Sequence, residues 1–259
     1  MGGCLVGGAV GDALGLPAEG LSRKRLSVMF PGPCRHRFFF RRGMFSDDTE
    51  HSVMVSRALL KNPDDAAAFQ RSLAWSLRWW LLGLPAGVGL ATARSLVKLW
   101  LGVPLRRAGV FSAGNGPAMR SAILGVVFRD DDSARERYVR ASSQLTHSDP
   151  RAEEGAALVA EAAAMAAESE ETGPVLERLR EMVISDEMKS RLKALESALD
   201  TGGDVLEFAA AIGCEKGVSG FAPNTVAVAL FAWLRHRNDF AMAMSQTIRC
   251  GGDVDTVAA

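Results

Sequence analysis

The side chains best suited to bind a cation lie in two short acidic segments that are far apart in the chain. The first, FSDDTEH at 45–51, places Ser46, Asp47, Asp48 and Thr49 ahead of the apolar run SVMVSRALL. A residue of this kind normally caps a helix, because its oxygen accepts hydrogen bonds from free amides of the first turn. A cap needs only one such residue, and neighbouring aspartates repel each other unless a cation lies between them. These residues therefore predict either a helix cap or part of a cation site.

The second segment, CGGDVDTVAA, lies at 250–259. Its two glycines allow unusual backbone angles, and Asp253 and Asp255 are two positions apart. In an extended backbone these two carboxylates would point the same way, and Thr256 would add a hydroxyl. An all-oxygen set of this kind selects hard cations such as Mg²⁺, Mn²⁺ or Ca²⁺. A simple Asx turn is the alternative interpretation.

Three further segments carry polar groups beside glycine turns. GDALGLPAEG places Asp12 and Glu19 around a Gly/Pro turn. SAGNGPAMR, at 112–120, is a glycine loop that opens a helix, and exposed loop amides can hold a phosphate oxygen, although most such loops are only turns. His147 precedes a long Ala-rich helix, where it either packs and caps or contacts substrate or metal-bound water.

Composition limits the possible partners and compartments. The 30 basic and 30 acidic side chains cancel, so no global charge steers the protein toward nucleic acid or an anionic membrane. The four cysteines lack CxxC spacing, which favours reduced thiols. The apolar N-terminus has no basic residue before Asp12, and no apolar run is long enough to cross a bilayer. We expect a cytoplasmic protein without a membrane segment.

Helical periodicity with Gly, Pro, Asn and Asp punctuation predicts an all-α fold in one domain. The predicted helices are Gly2–Leu14, Thr49–Leu60, Asp65–Leu82, Gly87–Trp100, Pro117–Phe128, Ser133–Leu145, Arg151–Glu168, Pro174–Val183, Asp186–Leu199, Gly203–Ile212, Asn224–Arg235 and Asp239–Thr247. RHRFFFRR at 35–42 predicts an extended, amphipathic covering loop, with a ligand-binding patch as the alternative. ESEET at 168–172 predicts a solvated helix end.

Five segments, in this order and spacing, resemble the ADP-ribosylglycohydrolase family: GCLVGGAVGDALGLPAEG, FSDDTEHSVM, SAGNGPAMRSAILG, LTHSDPRAEEGA and CGGDVDTVAA. The resemblance extends over nearly the whole chain. It implies a compact all-α single domain over residues 1–259 with a central metal cleft that holds two Mg²⁺ or Mn²⁺ ions. It also implies hydrolysis of a glycosidic bond at the anomeric carbon of ADP-ribose, on an ADP-ribosylated protein or a small ADP-ribosyl conjugate. We expect a monomer.

The same resemblance implies roles for individual residues. The metal ligands would be Ser46, Asp47, Asp48, Asp253, Asp255 and Thr256. Either Asp47 or Asp48 would accept a proton from water, and Glu19 would lie close to the scissile ribose. The loop residues Ser112, Gly114, Asn115 and Gly116 would seat the diphosphate with Met119, and His147 would contact the distal ribose.

Two departures from the family pattern accompany the resemblance. Val254 stands where a threonine is commoner, and the sequence stops at Ala259, where the family usually continues with another helix. The alternative is that the protein is a catalytically silent relative, which binds ADP-ribose or has a structural role. A metal-dependent phosphohydrolase of unrelated helical fold is a third, although its sites usually contain several histidines and this chain has four in all.

Overall fold

The computed structural model describes residues 1–38, 42–85, 87–168 and 173–259. Its α-helices are α1 (Gly2–Gly15), α2 (Arg23–Met29), α3 (Asp47–Lys61), α4 (Ala66–Leu82), α5 (Leu90–Trp100), α6 (Leu105–Ala108), α7 (Ala122–Val127), α8 (Asp132–Gln144), α9 (Pro150–Glu168), α10 (Gly173–Met182), α11 (Asp186–Thr201), α12 (Val205–Ala211), α13 (Ala222–Arg235), α14 (Phe240–Arg249) and α15 (Val254–Ala258), and 3-10 turns span Leu16–Ala18 and Ala118–Arg120. In the described ranges the only β-pairing is in isolated bridges. The all-α prediction is confirmed.

The long predicted helices match the observed ones closely, and the differences have local causes. The stretch predicted at 117–128 divides into a 3-10 turn and α7. The helix predicted from Gly87 begins at Leu90, since Gly87 has a φ of +81° that no α-helix accommodates. The short helices α2, α6 and α15 were not predicted, because elements this short carry little periodicity, although α12, which is equally short, was predicted.

The two predictions for irregular segments fall partly outside the described residues. Of RHRFFFRR, Phe38 and Arg42 pair in an isolated antiparallel bridge, and residues 39–41 lie outside the described ranges. Residues 169–172 of the ESEET segment also lie outside them. Within the described ranges, no helix combines the length and apolar character that a membrane crossing requires.

The chain divides into two compact units, which are described separately. Unit 1 comprises Met1–Leu5 and Asp47–Ser169. Its core is formed by apolar faces of α3, α4, α5, α8 and α9, in which Phe69 and Leu96 are fully buried. The Tyr138 hydroxyl donates hydrogen bonds to the carbonyl oxygens that precede α4, which ties α8 to that turn.

Unit 2 comprises Val6–Ser46 and Glu170–Ala259. Its central element is α13, which packs against α11, α12, α14 and α15. The rings of Phe208 and Phe231 stack with centroids 4.5 Å apart and join α12 to α13. Asp204 and Glu207 form a reciprocal capping box at the start of α12.

Candidate metal centre

Three carboxylates of unit 2 converge on a common point. Glu19, Asp253 and Asp255 each place an oxygen within 4.8 Å of the others. Asp255 is only 3% exposed, whereas Glu19 is exposed and Asp253 is half-buried. Three acidic groups at this spacing repel one another strongly unless they share a proton or a cation.

The glycine corner at 251–252 holds this cluster through backbone hydrogen bonds. The Gly252 amide donates to the Leu21 carbonyl at 2.8 Å, and the Asp253 amide donates to the Val218 carbonyl at 2.9 Å. Gly252 has a φ of +85°, and a Cβ at this position would lie 2.0 Å from the Val218 oxygen. Only glycine fits here, so the two glycines determine where the adjacent carboxylates lie.

Close packing of α1 on α15 fixes the backbone of Asp255. A Cβ on Gly15 would lie 2.5 Å from the Asp255 Cα, and a Cβ on Gly11 would lie 2.0 Å from the Ala258 oxygen. These glycines present a smooth helix face that α15 approaches at backbone distance. Glycine at positions 11 and 15 of α1 is therefore a packing requirement of the acidic cluster.

Asp12 is an acidic residue of this region whose role the sequence motifs did not predict. It is fully buried on α1, and its carboxylate accepts a hydrogen bond from the Ser46 amide, with distances of 3.0 and 2.9 Å to its two oxygens. Asp12 also adds negative potential at Glu19 and Asp255. A single acid within an apolar glycine-rich helix is the only signal in the sequence that could have indicated it.

The electrostatics of the cluster fit a bound cation. Burial, followed by the charges of Glu19 and Asp253, raises the pKa of Asp255 to about 8. Burial, and then the charge of Asp253, also raises the pKa of Glu19. Within the described part of the chain, Oδ1 of Asp255 is buried and has no hydrogen-bond partner. A hard dication would satisfy this oxygen and relieve the repulsion, so the donor set fits the metal that the sequence predicts.

The expected extended geometry of the terminal segment is wrong. Asp253 lies at the N-terminal boundary of α15, and Asp255 and Thr256 lie within the helix. The Thr256 hydroxyl donates to the Asp253 carboxylate at 3.2 Å. The carboxylates of Asp253 and Asp255 converge because the glycine corner turns sharply into a helix.

In unit 1, Asp47 and Asp48 are the first two residues of α3. Their charges suit the positive end of the helix dipole, as the capping interpretation requires. Asp48 is buried, and a Cβ on Gly87 would lie 3.0 Å from Oδ1 of Asp47. The assignment of Ser46, Asp47 and Asp48 as metal ligands stays a prediction.

The predicted substrate loop packs against His147, also in unit 1. A Cβ on Gly114 would lie 2.8 Å from Nε2 of His147, and one on Gly116 would lie 3.0 Å from its Cε1. The Asn115 carbonyl accepts hydrogen bonds from the amides of Ala118 and Met119 and so starts the following 3-10 turn. Glycine at 114 and 116 therefore lets the loop lie directly on the imidazole, and Ser112 lies at the start of this loop.

A buried arginine that belongs to none of the predicted site residues supports His147. Arg120 has no exposed surface, and its guanidinium donates to the Ser142 hydroxyl at 3.0 Å and to the Thr146 hydroxyl at 2.7 Å. The Thr146 hydroxyl lies 2.9 Å from Nδ1 of His147. Arg120 also lies 3.4 Å from Nδ1 of His51. One side chain thus connects α3, the end of α8 and the loop histidine.

Burial and this arginine keep both imidazoles neutral. Burial, followed by the Arg120 charge, lowers the pKa of His147 to about 3 and that of His51 well below its ordinary value. Burial also lowers the pKa of Arg120 to about 10, and the charge of Asp47 opposes this shift. His147 is therefore an uncharged hydrogen-bonding group near neutral pH.

Comparison with known proteins identifies the family. A family model described as ADP-ribosylglycohydrolase matches residues 1–259. The chain belongs to the ADP-ribosylglycohydrolase family. A solved structure titled "ADP-ribosylglycohydrolase-related protein complex" superposes with a TM-score of 0.70 and 26% identity, covering 99% of this chain and 82% of that chain.

Two curated relatives are similar to this ADP-ribosylglycohydrolase family member over different lengths of the chain. An uncharacterized protein of Archaeoglobus fulgidus is 30% identical over 266 residues, covering 99% of this chain and 83% of the relative. The ADP-ribosyl-[dinitrogen reductase] glycohydrolase of Rhodospirillum rubrum is 28% identical over 157 residues, covering 57% of this chain and 51% of the relative. The family resemblance and the helical fold predicted from the sequence are both confirmed.

Proposed function

We propose that the protein hydrolyses the glycosidic bond at the anomeric carbon of ADP-ribose, and so removes ADP-ribose from a modified protein side chain or a small ADP-ribosyl conjugate. The observation that carries the proposal is the cluster of Glu19, Asp253 and Asp255, which contains a buried carboxylate oxygen without a partner among the described residues. Family membership supplies the reaction class. The same proposal includes a cytoplasmic location and a monomeric state for the protein.

Two Mg²⁺ or Mn²⁺ ions are the proposed cofactors. Asp253 and Asp255 would hold a cation through their carboxylates, and Thr256 would contribute its hydroxyl. Ser46, Asp47 and Asp48 would be the remaining ligands, by the resemblance of their segment to the family motif. A bound dication supplies positive charge that orients ribose hydroxyls and lowers the pKa of a coordinated water.

The acidic side chains would act on the ribose itself. Positive charge develops at the anomeric carbon as a glycosidic bond breaks, and fixed carboxylates stabilise that charge. Glu19 is exposed enough to reach a ligand, and its raised pKa makes it a better proton acceptor than an ordinary glutamate. We assign Glu19 to the neighbourhood of the scissile ribose and Asp47 or Asp48 to proton transfer from water.

The glycine loop would bind the diphosphate. In this proposal the backbone amides of Ser112 to Gly116 would donate hydrogen bonds to phosphate oxygens. Asn115 and Met119 would shape the wall of this subsite. The neutral His147 would offer a hydrogen bond to the distal ribose without adding a charge.

The test is release of free ADP-ribose from arginine-, serine- and O-acetyl-linked ADP-ribose. We expect turnover of at least one linkage with Mg²⁺ or Mn²⁺, and its loss with chelator. Asp255→Asn should abolish turnover, since it removes a charged ligand while conserving shape. Asp200→Asn, at an exposed aspartate near the end of α11, is the matched control and should keep full activity.

Two results would contradict the proposal. Tight ADP-ribose binding without turnover of any linkage would indicate the catalytically silent relative. Full activity in Asp255→Asn would remove the carboxylate cluster from the reaction. Asp47→Ala tests the motif-derived ligands separately, and its activity should also be lost.

A further inference from the structure

Unit 2 contains a cavity whose described lining is strongly basic. Its volume is about 560 Å³, and α2, α14 and the turn at Pro17–Ala18 contribute to its wall. Five basic residues lie in this wall, Arg23, Lys24, Arg35, Arg37 and Arg249, and the described lining includes no acidic residue. Cavities of roughly 300 to 1,000 Å³ hold ligands the size of cofactors.

These basic side chains are not neutralised by the protein. Among the described residues, no carboxylate forms an ion pair with any of the five. Like charges around one concave surface raise one another's energy, and a focused positive potential attracts anions. An anionic ligand in the cavity would remove this repulsion.

Arg23 is the most constrained of the five. Its Nε donates to the Cys250 carbonyl at 3.2 Å, which fixes the guanidinium, while its buried Nη2 has no hydrogen-bond partner among the described residues. An unpartnered buried N–H is costly, so the hydrogen-bonding capacity of this guanidinium is not satisfied by the described protein groups. The planar fork of a guanidinium matches a phosphate group in two parallel hydrogen bonds.

The rest of the wall suits an uncharged organic group. Leu14, Leu26 and Ile248 contribute apolar surface to the same cavity. The Arg37 guanidinium lies 4.3 Å from the centre of the Phe30 ring, so this charge is held against an aromatic surface. The cavity lining therefore combines positive charge with apolar surface.

We propose that this basic cavity binds a small phosphorylated molecule that also carries an uncharged organic group, which is the chemistry of a nucleotide. The site uses Arg35 and Arg37, which belong to the RHRFFFRR segment, so it favours the ligand-binding interpretation of that segment over a covering loop. The proposal does not rest on glycohydrolase activity, because binding here needs none of the metal ligands.

The test is calorimetric binding of ADP, pyrophosphate and adenosine to the full chain with EDTA present. ADP should bind more tightly than pyrophosphate, and adenosine should not bind measurably. Arg23→Gln should weaken ADP binding about tenfold or more, because it removes a charge-assisted hydrogen bond. The double variant Arg35→Gln, Arg249→Gln should weaken it similarly, and these two side chains make no hydrogen bond within the described ranges, so the fold should be unaffected.

The control separates this cavity from other phosphate-binding surfaces. The control is the double variant Arg106→Gln, Arg107→Gln. It removes two exposed charges from α6 of unit 1 and should leave ADP binding unchanged. Unchanged ADP binding in the Arg35, Arg249 variant would place the nucleotide elsewhere, for example on the Ser112–Gly116 loop, and would overturn the proposal. Equal losses in the α6 control would show unspecific charge attraction, which would also overturn it.

Discussion

A methyl group added to Gly15 should damage the acidic cluster without touching any carboxylate. A Cβ at this position would lie 2.5 Å from the Asp255 Cα and 2.8 Å from its amide nitrogen. Two carbon atoms need about 3.5 Å or more, so either α1 or α15 must move by about 1 Å. A misplacement of about 1 Å can cost roughly 100-fold in rate. Gly15→Ala should therefore lower kcat/KM for ADP-ribose release by about two orders of magnitude.

The effect on stability should be smaller than the effect on activity. Overpacking costs about 1–3 kcal/mol, whereas alanine is favoured over glycine inside a helix by up to about 1 kcal/mol. Urea unfolding should therefore show a modest loss. Gly7→Ala is the matched control. Gly7 lies on the same helix, but a Cβ at this position would meet no neighbouring atom within 4 Å, so this variant should be slightly stabilised and fully active. Wild-type activity and Mg²⁺ affinity in Gly15→Ala would refute the positional argument.

Three further predictions concern stability. Arg120→Gln should lower the free energy of unfolding by about 3 kcal/mol in urea titrations, because the buried hydroxyls of Ser142 and Thr146 lose a charged donor. A decrease below about 1 kcal/mol would contradict a stabilising role for these hydrogen bonds. The folded-state pKa of His147, about 3, lies below its ordinary value of 6.5, so this group contributes stability above pH 6.5 that is lost on acidification. Between pH 6.5 and pH 5, the unfolding free energy of His147→Asn should therefore fall by about 1.5 kcal/mol less than that of wild type, as measured by urea titration. Equal decreases in the two proteins would refute the lowered pKa of His147. Mg²⁺ at about 100 times its Kd should raise the unfolding free energy by roughly 2.7 kcal/mol in wild type and not in Asp255→Asn, and an equal rise in both would remove Asp255 as a ligand.

The residues found from the sequence are those whose types signal chemistry by themselves. The SDDT and GGDVDT segments combine acids with hydroxyls or glycines, and the periodicity of the long helices sets the fold class. Arg120 could not be found in this way, because its burial depends on Ser142 and Thr146, which come more than twenty residues later and meet it only in the folded chain. The pairing of Asp12 with the Ser46 amide is equally a product of tertiary packing.

The backbone conformation of the terminal segment was mispredicted for a different physical reason. Alternation along an extended strand is a local rule, and it fails when the backbone turns. The left-handed angles of Gly251 and Gly252 provide that turn, and backbone hydrogen bonds with the distant residues Leu21 and Val218 select it. Short elements of this kind gain their conformation from tertiary contacts more than from local propensity.

The glycine corner also has an evolutionary consequence. Gly252 contacts no ligand in the proposed reaction, yet any other residue there would place a side chain on the Val218 carbonyl. Selection on the codon for Gly252 should therefore be as strict as selection on the codon for Asp255. A lineage that lost hydrolysis could drift at its acids one substitution at a time and later revert. Drift at the corner would require compensating changes in a second segment, so its loss would be far harder to reverse.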